Sequence, residues 1–379
     1  MSYTPNRITE VETWRLENQK GLFDAKHSGK QTMAWDVVLL RIGTAEGIDG
    51  YASALAARSG PITEAYIHEV LAPVVLGRDV SDREAIWHDY WLIDRHLTFF
   101  PVYLPGPVDV ALWDIAAKSA GLPLFRYIGA FRDTLPVYAS SLFHETVGDY
   151  VTEAQEHAAR GIRAYKAHPP GGWQRDMEVH RLLRQEMGPD YTLMSDPVSE
   201  YTLETAIRVG RQLEELDYRW LEEPFRDFEL MKYKRLSDTL DIPVAGTETT
   251  NGGPWGVAQA IGLGAVDIVR ADVSWKAGVT GTIKIAHVAE AFGLQCEVHT
   301  TTMGVMELAN LHVSCAIRNC EFYEMLIPEP AFRFPLAEPL PIDSDGVVHV
   351  PEEPGLGAES RIDWDLVKER TLSRRSSRV

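Results

Sequence analysis

Cysteine is scarce in this chain: there are three in 379 residues, Cys296, Cys315 and Cys320, with no metal-ligand spacing among them. That scarcity argues against a disulfide-stapled fold or a cysteine zinc site and implies buried free thiols in a reducing compartment. No apolar run approaches the ~18 residues that a membrane-spanning helix needs. The opening stretch from Met1 to Ile8 lacks a basic-then-apolar leader pattern. Positive charge is also short, with 37 Lys and Arg against 55 Asp and Glu and a net charge of −18. A surface of that sign argues against nucleic acid or anionic membrane as a partner. The expectation is a soluble, cytoplasmic protein acting on a small molecule. With 45% hydrophobic residues the chain can fill a core, and its length allows two domains or one large barrel with additions.

Residues 1–130 read as a compact α+β unit. Arg7 to Glu17 and Ala34 to Thr44 alternate apolar and polar residues, as paired antiparallel strands do. A polar loop with Lys26, His27 and Lys30 lies between them. Helical patterns follow over Ile62 to Val75, Asp82 to His96 and Pro107 to Ala120. From Leu135 the pattern becomes a regular alternation of strand and helix. Strands are predicted over 135–141, 163–168, 191–196, 218–223, 243–248, 266–272, 294–299 and 320–324. Eight strands with seven evident helices describe a (β/α)7β-type TIM barrel over residues 131–325. The Pro-rich segment 326–379 is expected to return to the N-terminal unit and to end in a frayed basic tail, Leu372 to Val379.

The strand ends carry the chemistry, because active sites of this fold occupy the C-terminal rim. Asp196, Glu222 and Glu248 each follow a short apolar run, with 26 residues between the first and second and 26 between the second and third. Three carboxylates brought together repel one another unless a hard divalent cation lies between them. Strand 2 ends in Lys166-Ala-His168, whose period-2 geometry turns both side chains inward. Asp272, His299 and Glu324 end strands 6, 7 and 8, while Glu223 is expected to point away from Glu222. Any one of these residues alone is more often a helix cap or a satisfied interior histidine. The even spacing, followed by an acid and a histidine on successive strands, makes a site the better reading. Asp272 and His299 read as a dyad in which the carboxylate fixes the imidazole tautomer. Lys166 beside His168 favours a neutral imidazole. A cation between two bases suits removal of a proton α to a carboxylate, with stabilisation of the enediolate. Glu324, if crowding by other acids keeps it protonated, would donate a hydrogen bond to the substrate carboxylate.

With these residues in place the chain resembles the enolase superfamily, mandelate racemase subgroup, over nearly its whole length. The resemblance rests on the α+β capping unit, the stretch Val108-Asp-Val-Ala-Leu-Trp-Asp-Ile-Ala-Ala-Lys-Ser-Ala-Gly-Leu-Pro, the barrel and the returning C-terminal segment. It implies one Mg²⁺ per subunit held by Asp196, Glu222 of Leu-Glu-Glu-Pro, and Glu248. It further implies the Asp272–His299 dyad, the strand-8 glutamate Glu324, and a homo-oligomer, either dimer or octamer. Two departures stand out: the subgroup's common Lys-x-Lys is Lys166-x-His168 here, and Val198 replaces a frequent asparagine. Both weigh against simple mandelate-type racemisation. The resemblance therefore points to dehydration of an acid sugar, aldonate or aldarate, to a 2-keto-3-deoxy acid. His168 and His299 would divide the two proton transfers, or His299 would perform both in a syn elimination. Two other readings stay open: a racemase or epimerase using the two histidines on opposite faces, and a non-catalytic paralogue, against which the complete triad and dyad argue. Candidate substrate contacts are His27 and Lys30, with Lys26, in the cap loop, His144 after strand 1, and Trp275 after Asp272. A solvated basic loop and a packing tryptophan fit those positions as well.

Overall fold

The computed structural model describes residues 5–18, 35–57, 59–97, 104–300 and 304–379. Strand β1 (Ile8–Glu17) buries Ile8, Val11 to Thr13 and Leu16 and pairs antiparallel with β2 (Trp35–Thr44), placing Val11 opposite Ile42 and Thr13 opposite Leu40. A third strand, β3 (Asp49–Ala57), extends the sheet beyond β2. Sequence reasoning missed β3 because Gly50 and its alanines carry little alternation. Gly50 is required there: a Cβ would lie 2.1 Å from the Ala111 carbonyl oxygen of the helix Gly106–Ser119 that covers the sheet.

Eight parallel strands form the second unit. They are β4 (Thr134–Ser140), β5 (Ala164–Ala167), β6 (Thr192–Ser195), β7 (Leu221–Glu222), β8 (Val244–Gly246), β9 (Ile268–Ala271), β10 (Gln295–Val298) and β11 (Tyr323–Leu326). Their order is β10-β9-β8-β7-β6-β5-β4-β11, which is chain order wrapped around a barrel. A helix precedes each strand from β5 to β11, and the crossover after β11 shrinks to one turn, Glu329–Phe332. Short β12 (Val347–His349) then runs antiparallel beside β4. The last strand reaches Leu326, so Glu324 lies within β11 rather than at its end.

The final strand, β13 (Thr371–Arg378), pairs antiparallel with the free edge of β1 and gives the cap sheet the order β13-β1-β2-β3. The basic C-terminal segment is therefore a sheet strand and not a frayed tail. Its stability comes from charge as well as backbone pairing: Arg374 reaches Glu12 at 2.5 Å, Arg378 reaches Glu10 at 2.7 Å, and Arg375 reaches Glu69 at 2.7 Å. Cross-strand pairs of opposite charge support this strand, which has little apolar surface of its own to bury.

Three apolar clusters result among the described residues, the smallest being Leu326, Ala331 and Phe332, and the other two form the main cores. The larger lies between barrel and helices and runs on into the cap. The smaller fills the barrel interior, where Ala164, Trp220, Ile268 and Phe322 come from alternate strands, with Tyr138, Met194 and Ala245 from the strands between. This is the layered filling expected of such barrels. The seam between β10 and β11 has no backbone ladder among the described residues. Instead the buried Glu297 carboxylate accepts the Glu321 N–H at 3.0 Å and the Phe322 N–H at 3.2 Å, stapling the two strands together. The cap docks beside the loop after β9. Asp109 accepts the N–H and hydroxyl of Thr280 at 2.9 and 2.6 Å, and Trp87 Nε1 donates to the Ala277 carbonyl at 2.8 Å. Gly278 makes this approach possible: its φ is +93°, and a Cβ would lie 2.2 Å from Asp109 Oδ2. All three cysteines are buried free thiols. Among the described residues no helix is long and apolar enough to cross a membrane.

Burial pushes the Glu297 carboxyl up from 4.5 to about 7, against the opposing pull of the two N–H donors and Arg270. Between those values the folded chain holds a proton that the unfolded chain has released, so raising the pH favours unfolding. Glu297→Gln cannot ionise. Its urea midpoint relative to the unsubstituted protein is therefore expected to rise as pH goes from about 4.5 to about 8. A difference that stays constant with pH would show that the seam carboxyl ionises freely.

Candidate active site

The C-terminal ends of the barrel strands enclose a cavity of about 370 Å³. Its acidic wall is Asp196, Glu223, Asp227 and Glu248, with His168 and His299 also facing in. Leu142, Phe143, Val198 and Leu326 form an apolar side, and Ser199, Arg226 and Thr249 add polar contacts.

Lys166 is fully buried, and its ammonium gathers three carboxylates. It lies 2.9 Å from Glu222 Oε1, 2.8 Å from Glu324 Oε1 and 3.4 Å from Asp196 Oδ2. Burial opposes its charge, but Glu222 and Glu324 outweigh that and hold it protonated well above the ordinary lysine range. His168 faces the same Asp196 oxygen from the cavity side, with Nε2 at 3.0 Å. Its Nδ1 donates to the Ser141 carbonyl at 2.6 Å, which leaves Nε2 as the atom turned toward the cavity. His299 is held on the other flank: Nδ1 meets Asp272 Oδ2 at 3.1 Å and Nε2 lies 3.3 Å from Glu248 Oε1. Asp272 is itself fixed by the Ser274 N–H at 2.6 Å. Burial works against the His299 imidazolium, yet Glu248 and Asp272 raise its pKa overall.

The carboxylates divide by environment. Burial penalises charge on Asp196, but His168 and Lys166 more than offset it and the carboxyl stays below its ordinary range. Glu324 behaves likewise: despite burial, Lys166 and Arg270 hold it ionised well below 4.5. The expectation that crowding keeps Glu324 protonated is not met, because two cations rather than acids are its nearest neighbours. Glu248 goes the other way, pushed up to about 7 by burial and by Asp196 and Glu222. Glu223 rises well above 4.5 for the same reason, with Asp227 and Glu248 as neighbours. Glu223 was expected to point away, but it lines the cavity and accepts the Glu248 N–H at 2.9 Å. Its φ of +42° breaks the strand alternation on which that expectation rested.

Strained backbone accumulates here. Of the six non-glycine residues with positive φ among those described, Val198, Ser199, Glu223, Thr247 and Ala277 follow β6, β7, β8 and β9. Thr247, with φ +85°, immediately precedes Glu248 and is β-branched, which makes its conformation costly. Such strain clusters where side-chain aim matters more than local stability.

The oxygen-only set Asp196, Glu222 and Glu248 suits a hard divalent cation by chemistry. Among the described residues no three acidic or imidazole side chains already meet at ligating distance, since Lys166 lies between two of the carboxylates. The raised Glu248 marks an unbalanced buried charge of the kind a bound dication relieves. The donor set fits such an ion.

Other expected contacts lie elsewhere. His144 turns to Glu153 at 2.9 Å, packs edge-on against Tyr150 and does not line the cavity. Trp275 is half-buried in the loop after β9 and does not line it either. Lys26, His27 and Lys30 lie outside the described residues. Sequence reasoning missed Arg226 and Asp227, whose one legible signal was their place just after a strand-end acid, and Arg270, which is buried inside the barrel.

Comparison with known proteins gives two family matches and several relatives. Residues 149–364 match the family described as enolase C-terminal domain-like, and residues 20–129 match the mandelate racemase / muconate lactonizing enzyme N-terminal domain. The chain is 28% identical to an arabinonate dehydratase of Saccharolobus solfataricus, with 92% of this chain and 96% of that protein covered. It is 30% identical to a D-galactarolactone cycloisomerase of Agrobacterium fabrum, covering 93% and 96%. The solved structure of a D-glucarate dehydratase from Agrobacterium tumefaciens, complexed with magnesium, superposes with a TM-score of 0.86 at 31% identity and covers 98% of this chain and 100% of that one.

Asp272→Asn keeps the shape of the dyad while removing its charge. We expect turnover of whatever substrate the site accepts to fall by about 10²–10⁴-fold, with the far-ultraviolet circular dichroism unchanged. Retained turnover would show that His299 needs no carboxylate partner.

Proposed function

Because the chain belongs to the mandelate racemase / muconate lactonizing enzyme family of the enolase superfamily, we propose that it dehydrates an acid sugar, an aldonate or aldarate, to a 2-keto-3-deoxy acid with Mg²⁺ as cofactor. The observation that carries the reading is one cavity lined by two imidazoles, His168 and His299, together with the carboxylates Asp196 and Glu248.

Asp196, Glu222 and Glu248 would hold the magnesium. When bound, it supplies Lewis-acid polarisation of the substrate carboxylate, which acidifies the α-carbon. His299, with Nδ1 tied to Asp272, presents Nε2 as the base for the α-proton. Lys166, buried 3.4 Å behind Asp196, would add positive charge on that side of the substrate carboxylate as negative charge develops there. His168, with Nδ1 engaged by Ser141, presents Nε2 toward the cavity and is placed to protonate the departing β-hydroxyl. The apolar side formed by Leu142, Phe143 and Leu326 suits the C–H face of a sugar chain, and Ser199, Arg226 and Thr249 suit its hydroxyls.

A stereochemically complete set of aldonic and aldaric acids, incubated with Mg²⁺ and scored for 2-keto acids with semicarbazide, tests the proposal. One or a few members are expected to react, with activity lowered about 10³-fold or more in His299→Asn. Solvent deuterium entering an α-carbon without any keto acid would replace dehydration with epimerisation, using the same two histidines. Neither product would count against catalysis on sugar acids altogether.

A further inference from the structure

Arg270 is the largest charged side chain fully buried in the barrel, and the mechanism above gives it no role. It projects from β9 into the interior. Its Nε lies 2.9 Å from Glu222 Oε1, and its Nη2 donates to Glu324 Oε2 at 2.5 Å. Two further contacts brace the guanidinium: Nη1 donates to the Glu297 carbonyl and Nη2 to the Tyr138 hydroxyl, both at 3.1 Å. Glu324 Oε2 also accepts the Thr300 N–H at 3.1 Å.

These contacts close a ring. Lys166 meets Glu222, Glu222 meets Arg270, Arg270 meets Glu324, and Glu324 meets Lys166, at 2.9, 2.9, 2.5 and 2.8 Å. The four residues come from β5, β7, β9 and β11, the alternate strands that supply one interior layer of a (β/α)₈ barrel. Bulky branched residues usually fill such a layer, and here it is four charges of alternating sign. Trp220 Nε1 also donates to Glu222 Oε2 at 2.8 Å, but without Arg270 no guanidinium would draw Glu222 and Glu324 against the pull of Lys166 in a dry interior, and the two carboxylates would swing toward that lysine. Lysine cannot substitute fully, because an ammonium on a flexible stem lacks the rigid planar fork that sets Nε against Glu222 and Nη2 against Glu324.

We propose that Arg270 is a positioning residue: it holds Glu222 where it can take part in binding the divalent cation and holds Glu324 apart from it at the cavity floor. This rests on the cation reading above. The test is Mn²⁺ binding followed by electron paramagnetic resonance without substrate, alongside thermal unfolding and, once a substrate is known, kcat and KM. In Arg270→Met, Mn²⁺ affinity of the folded protein is expected to fall about tenfold or more, with Arg270→Lys recovering part of the loss. The turnover loss is expected in kcat rather than KM. Tyr138→Phe removes one brace without changing side-chain shape and is expected to weaken Mn²⁺ about two- to fivefold at an unchanged unfolding temperature. It decides the matter if Arg270→Met does not fold. Wild-type Mn²⁺ affinity in folded Arg270→Met, or in Tyr138→Phe where that variant must decide, overturns the role of Arg270. An unsubstituted chain that bound no Mn²⁺ would overturn the cation reading and this inference with it.

Discussion

Repulsion between like charges is the constraint that shapes this barrel. Asp196, Glu222, Glu223, Asp227 and Glu324 are buried within a few strands of one another, and Glu248 is half-buried beside them. Such a cluster cannot be ionised throughout in a low-dielectric interior, and the chain divides the problem in two. At the floor, Lys166 and Arg270 neutralise Glu222 and Glu324 and help to hold Asp196 charged. Toward the mouth, Glu223 and Glu248 have no lysine or arginine in ion-pair contact among the described residues, and are pushed toward the protonated state although His299 lies 3.3 Å from Glu248. Charge is thus fixed at the floor and left adjustable at the mouth, where a ligand enters.

Holding that arrangement costs stability locally. Five positive-φ residues around the rim each cost on the order of 1–3 kcal/mol. A charged layer also replaces one apolar layer of the barrel, which packing alone would not favour. The compensation is elsewhere, in the extended core between strands and helices and in the docking of the cap on the loop after β9. That docking explains why Gly278 and Asp109 are pressed so closely together: the loop they brace also carries Asp272.

Much of the site was legible because barrel geometry turns sequence position into spatial position. Knowing that Asp196, Glu222 and Glu248 end successive strands is enough to put them at one end of the barrel; Asp196, Glu248, His168 and His299 line the cavity, while Glu222, Lys166 and Asp272 are fully buried beside them. What escaped it needed information that periodicity does not carry. Glu223 enters the cavity only because its backbone leaves the strand conformation. The protonation state of Glu324 depends on Arg270, which sits two residues before Asp272 and reads as an interruption of an apolar strand. His144 has a partner, Glu153, that a loop position does not announce. In the cap, β13 alternates arginine with serine instead of apolar with polar residues. Its strand character comes from the acidic edge of β1, a partner more than three hundred residues away.

That pairing also dictates an order of assembly. Arg15 and Ser373, hydrogen-bonded across β1 and β13, are separated by 358 positions. The cap sheet cannot gain its fourth strand until the whole barrel has left the ribosome, and closing so long a loop is slow unless something already holds its ends together. The barrel is well placed to be that scaffold: the helix preceding β10 anchors the cap helices through Thr280, and the chain then needs only to return past β12 to reach β1. During synthesis, therefore, the edge of β1 stays open, with Glu10 and Glu12 held by Arg41 of β2 but not yet met by Arg378 and Arg374. Two acidic side chains on a waiting edge discourage a neighbouring nascent chain from adding its own strand there.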